Sequence, residues 1–130
     1  MHRLLRAVLA SSVLLGLVVA SKPAPACDCG GLELDQALAR ADAVFEGQVT
    51  DVAANRVATL AVGRAFKGAP GTRAVVAGAG SSCDYAFAKG ERYLVFARAG
   101  QGGTWTTSIC TRTAKVTDPS AKKDLAALSK

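Results

Sequence analysis

The chain has 130 residues, with 16 Lys+Arg against 10 Asp+Glu, four Cys and a formal charge of +6 at neutral pH. Its single methionine and single histidine are Met1 and His2, at the very start. Once an export leader is set aside, no imidazole remains. That excludes Ser-His-Asp or Cys-His nucleophilic pairs and zinc sites with histidine side-chain ligands.

In chain order, the first feature is that leader. Arg3 and Arg6 precede an almost unbroken apolar run from Ala7 to Ala20, and small residues end at Ala24-Pro25-Ala26. A charged start, an apolar middle and an Ala-x-Ala site make a secretory signal peptide over residues 1–26. The apolar run falls short of the roughly 20 residues a membrane-spanning helix needs. A second cleavage site stands at Val18-Val19-Ala20, which would leave Ser21 first. Lipidation of Cys27 is a further alternative, although Ala24, three residues before it, is not the large aliphatic expected there. Arg3, Arg6 and Lys22 leave with the leader, so half of the formal +6 is a targeting device. The expected product is a secreted or cell-envelope protein, monomeric and without a membrane span.

Residues 27–130 then make one small domain, which buries roughly 60–70% of its unfolded surface and needs covalent help. Leu34, Ala37, Leu38 and Ala41 recur at helical spacing and predict a short helix between Gly30 and Ala43. Five strands follow, at 43–52, 57–66, 72–77, 92–97 and 104–109, rich in β-branched and aromatic residues and separated by glycine turns. Phe45 and Val49 alternate with Glu46, Gln48 and Thr50, so the first strand has one wet face. Tyr93-Leu94-Val95-Phe96 is apolar on both faces, which places that strand between a barrel interior and a covering helix. Asp118 as N-cap and Pro119 at the first helical position open a terminal helix with Ala121, Leu125 and Leu128 on one face and Lys122 and Lys123 on the wet side. Five short antiparallel strands and two helices predict a mainly-β closed barrel of the OB type.

An even number of cysteines in an exported chain reads as two disulfides. Joining Cys27 to Cys29 would close a strained ring, so each must reach one of the distant Cys83 and Cys110, in either of two pairings. Loops of this length gain about 4 kcal/mol each in the chain-entropy account. A zinc site with four cysteine ligands is the rival, without its usual paired C-x2-C knuckles.

The carboxylate pairs Asp35 with Asp42 and Glu91 near Asp84 fall on helix or turn positions where solvated charge is ordinary, so no enzyme is expected. Phe45, Phe66, Tyr93 and Phe96 sit in apolar strand contexts and there is no concentrated basic stripe, so no nucleic acid is expected either. Trp105 is either a barrel plug or a contact residue. No cofactor and no resident metal are implied.

The segments CDC (27–29), ADAVFEGQV (41–49), AFKG (65–68), SSCDYAFAKGERYLVFA (81–97) and TTSICTRT (106–113) together resemble the netrin-like domain, in particular bacterial single-domain relatives of the tissue inhibitors of metalloproteinases. The resemblance spans about Cys27 to Leu128. It implies an OB barrel with Cys27 bridged to Cys83 and Cys29 to Cys110. It further implies that the free amine and carbonyl of Cys27 chelate the zinc of a target metalloprotease, that Asp28 enters the specificity pocket, and that Ser81-Ser82 adjoins as a contact ridge with Cys29. The chain departs from the animal inhibitors in having four cysteines rather than six, no second domain, Asp28 in place of a small or aliphatic residue, and Gly30-Gly31 in place of a proline-stiffened link. A carboxylate entering an apolar pocket unpaired costs several kcal/mol. The alternative function is therefore a non-inhibitory extracellular interaction module with no protease target.

Overall fold

The computed structural model describes Gly16, Val18 and residues 27–130; the rest of the expected leader and both cleavage sites lie outside the described residues. Leu34–Arg40 forms α1, opened by the Glu33 amide donating to Gln36 Oε1 at 3.1 Å and closed by Lys67 Nζ donating to the Leu38 carbonyl at 2.7 Å. The strands are β1 (Ala43–Val52), β2 (Ala58–Lys67), β3 (Arg73–Ala77), β4 (Arg92–Ala99), β5 (Trp105–Thr106) and β6 (Ala114–Lys115), and α2 runs Pro119–Leu128. Asp118 takes the N-cap position of α2 with Pro119 next, as expected, but its side chain makes no capping bond. Among the described residues no helix is long and apolar enough to cross a membrane.

The strands β4-β1-β2-β3 lie side by side in that order, a Greek key. β5 pairs with both β3 and β4 and closes the ring, while β6 adds to the far edge of β4. The all-antiparallel barrel expected from the sequence is corrected here: β3 and β5 run parallel. The cause is parity, since a closed ring with an odd number of strands cannot alternate direction at every step. One pair must be parallel, and it falls where β5 is inserted.

Two further expectations change. The fifth strand was expected over 104–109 and occupies only Trp105–Thr106, and β6 was not foreseen. Beyond Thr106 hydroxyls take over from the ladder: Thr107 Oγ1 donates to the Phe96 carbonyl at 2.8 Å, and Ser108 Oγ accepts from the Cys110 amide at 3.1 Å. Such local side-chain bonds compete with strand pairing. Thr113 Oγ1 in turn accepts from the Phe96 amide at 2.9 Å and donates to Thr107 Oγ1 at 2.8 Å, since the Thr107 hydrogen is given to the Phe96 carbonyl.

The core is split by β4, as its two-faced apolar pattern requires. Tyr93 and Val95 join Phe45, Val49, Leu60 and Val76 inside the barrel. Leu94 and Phe96 join Val44, Ala37 and Ala121 beneath the two helices, with Leu125 and Leu128 packed alongside. Trp105 is half-buried against the barrel interior. Gly68 ends β2 at φ +71°, where a β-carbon would lie 2.2 Å from the Asp42 carbonyl oxygen; glycine is required there on both counts.

Candidate functional site

Cys27 is bonded to Cys83 and Cys29 to Cys110, which selects between the two pairings left open by spacing and agrees with the one the resemblance implies. Both bridges converge on one spot, with Cys27 Sγ 3.4 Å from Cys110 Sγ. Neither sulfur carries a hydrogen, so this is a contact between two disulfides. The Sγ atoms of Cys27, Cys83 and Cys110 lie within 4.8 Å of one another, close enough to share an ion as thiolates. All are spent in disulfides, however, and the four-cysteine zinc alternative is without ligands. The Cys27 sulfur, which a thioether-linked lipid would use, is likewise committed to Cys83.

The bridges fasten residues 27–29 across two loops. Cys27 and Cys29 are half-buried, while Asp28 between them is exposed. In the first loop Ser81 and Ser82 are exposed. That loop is held from within by Asp84, whose Oδ1 accepts from the Ala79 amide at 3.0 Å and Oδ2 from the Gly80 amide at 3.1 Å. Ser81 adds its Oγ to the Cys83 amide at 3.2 Å and its carbonyl to the Asp84 amide at 3.2 Å. The loops are joined by an antiparallel bridge between Asp84 and Ser108 and by the Ile109 amide donating to the Cys83 carbonyl at 2.8 Å. Ile109 itself is 46% exposed, an aliphatic side chain left in solvent beside Cys110.

Sequence reasoning placed Asp84 in a loose carboxylate pair with Glu91 and did not single out Ile109. In the structure Asp84 organises the loop, and both its oxygens are engaged by amides. Of the other pair, Asp42 accepts from the Ala99 amide at 2.8 Å and Asp35 from the Gln36 amide at 2.9 Å.

Behind this surface two devices hold the segment down. Arg112, at φ 82°, donates from Nη2 to Asp124 Oδ1 at 2.8 Å and from Nη1 to the Leu32 carbonyl at 2.6 Å, tying the stretch after Cys29 to α2. Asp124 is 2% exposed, and its hydrogen bond holds the Arg112 guanidinium above its usual pKa, against the opposing effect of burial. After Cys83 the chain is anchored by Tyr85, Phe87 and Tyr93, whose ring centroids lie 4.8 to 5.7 Å apart. Burial, reinforced by the nearby Tyr93 and Asp118, pushes the Tyr85 phenol up to about 12.

This is a five-stranded barrel with a doubly stapled segment presented across two braced loops. No known protein family and no curated protein matches the chain.

Proposed function

We propose that the chain is an OB-type, netrin-like module that is exported, cleaved after Ala26 and binds a protein through the ridge formed by Cys27, Asp28, Cys29, Ser81 and Ser82, inhibiting a zinc metalloprotease with the amine and carbonyl of Cys27. The observation that carries this reading is the double staple: residues 27–29 are bonded to two separate loops by touching disulfides. A binding segment so fixed loses little conformational freedom on association. The Greek key closed by a fifth strand supports the OB assignment.

Chemically, a neutral α-amine and the adjoining carbonyl oxygen close a five-membered chelate on a metal that the target supplies. An α-amino pKa of about 7.7–8.0 leaves part of the population neutral at physiological pH. Asp28, exposed, selects a target whose pocket carries a cation, because an apolar pocket would have to desolvate its carboxyl group. The alternative, a non-inhibitory interaction module, is favoured by Ile109: an aliphatic contact at the ridge needs no metal.

The experiment is the N-terminal sequence of the secreted protein together with its inhibition of a panel of zinc metalloproteases. A start at Cys27 with inhibition of a protease whose specificity pocket is basic supports the proposal. A start at Ser21 buries the amine in a peptide bond and removes chelation. A Cys27 start with no inhibition, and capture of a non-protease partner that depends on Ile109, supports the alternative.

A further inference from the structure

Cys110, the bridge partner of Cys29, also lines a cleft of about 200 Å³ together with Leu32, Ala37, Arg40, Ala41, Phe96, Arg98 and Thr111. Its chemistry is divided. Leu32, Ala37, Ala41 and Phe96 are apolar, and Phe96, Ala37 and Ala41 are buried core residues. All the formal charge in the lining is positive and comes from two arginines on different elements, Arg40 on the last residue of α1 and Arg98 near the end of β4.

Both arginines are exposed, and among the described residues neither makes an ion pair or a side-chain hydrogen bond; the two ion pairs that occur use Arg92 and Arg112. No acid lines the cleft; of the two acids adjoining lining residues in sequence, Asp42 is engaged by the Ala99 amide, and Glu33 is exposed and acts on Arg112. Two free guanidiniums over an apolar floor match a carboxylate joined to a small hydrophobic group, since guanidinium is the side chain best shaped to take a carboxylate through paired hydrogen bonds. An enclosed apolar cavity of about 150 Å³ takes up benzene, so the space here suits one branched aliphatic group or one ring.

We propose that this cleft is a binding site for a monocarboxylate bearing a single compact apolar group, with Arg40 and Arg98 receiving the carboxylate and Leu32, Ala37 and Phe96 the apolar part. Two sources share that chemistry: a free short-chain acid and the C-terminal residue of a peptide. The site does not depend on zinc chelation by Cys27 and stands or falls separately from it.

The test is titration of the ¹⁵N-labelled protein, followed by amide chemical shifts, with four probes: 4-methylpentanoate, 4-methylpentanamide, N-acetyl-alanyl-leucine and the C-terminal amide of that dipeptide. Saturable shifts centred on residues 37–41, 96–98 and 111 are expected for the acids, with Kd on the order of 1 mM for ligands of this size. Each amide should bind at least about tenfold more weakly, because the charge-assisted bonds are lost. The Arg40→Gln, Arg98→Gln double variant should weaken the acids by at least about the same factor and leave the amides unchanged. Tighter binding of the dipeptide than of 4-methylpentanoate identifies a peptide terminus as the source, and the reverse identifies a free acid. Equal binding of acid and amide by the unaltered protein, shifts centred elsewhere, or no saturation by either acid at about a hundred times that Kd overturns the proposal. The acid-against-amide comparison needs no variant and so does not depend on how the double substitution folds.

Discussion

Single side chains at this site are set by what they leave unpaired if removed. Asp124 is buried, and Arg112 is its partner as well as the donor to the Leu32 carbonyl. Arg112→Ala is therefore expected to cost about 3–5 kcal/mol in stability, the range for stranding one member of a buried ion pair. Denaturant unfolding checks this, and Asp124→Leu combined with Arg112→Met should recover much of the loss, because no charge is then left buried. Tyr85 gives a test at high pH. Its phenol is raised to about 12 in the folded chain, so the folded state holds the proton more tightly than the unfolded one. The associated stability is complete below the ordinary tyrosine value of about 10 and is lost as pH climbs toward the folded value. Ultraviolet titration of the protein minus that of Tyr85→Phe should isolate a phenol titrating near 12; a difference curve centred on the ordinary value contradicts the burial of this ring. The role of Arg112 was not visible in the sequence, since Arg112 meets Asp124 and Leu32 only once α2 and the stretch after Cys29 are folded together.

Elements were legible wherever periodicity ran long enough. β1 to β4 and both helices follow from alternation, from helical spacing and from Asp118-Pro119, and the double-sided apolar run 93–96 correctly placed β4 between two cores. The pattern failed over 104–109 because threonine and serine suit a strand and a hydroxyl-bonded turn equally well, and only Phe96, brought in by β4, decides between them. β6 has two residues, too few for any periodicity. Loop bracing depends on close approach in the same way. A β-carbon on Gly78 would fall 2.2 Å from Asp84 Cγ, displacing the carboxylate from the Ala79 and Gly80 amides. Gly78→Ala is expected to destabilise by about 1–3 kcal/mol. It should also speed amide exchange at residues 79–84 while leaving exchange in β1 and β4 little changed, which separates a loosened loop from a damaged barrel.

Across the whole molecule the disulfides connect stability to presentation. Their sequence separations of 56 and 81 correspond to about 4 kcal/mol each in the chain-entropy account, not additive because the loops overlap. Replacing Cys29 and Cys110 together by serine should lower stability by about 2–4 kcal/mol and release one of the two ties on the Cys27 segment, read as a lower Tm and faster proteolysis near residues 29–33. The CxC spacing made the staple visible in the sequence, and the resemblance supplied the pairing. The two arginines of the cleft were hidden, because Arg40 and Arg98 are distant in sequence and come to line one cleft only when α1 lies on β4.

If chelation by the α-amine is the working contact, binding must follow the state of that amine. Protonation removes the lone pair, so inhibition is expected to weaken as pH falls below about 7.7, apart from any pH dependence of the protease alone. The most direct measurement is the inhibition constant of protein beginning at Cys27 compared with protein carrying one additional alanine ahead of it, against the same metalloprotease. The account predicts a loss of about a hundredfold or more on adding the alanine, equivalent to about 2.7 kcal/mol, with the fold and both disulfides unchanged. Equal inhibition by the two forms would contradict it.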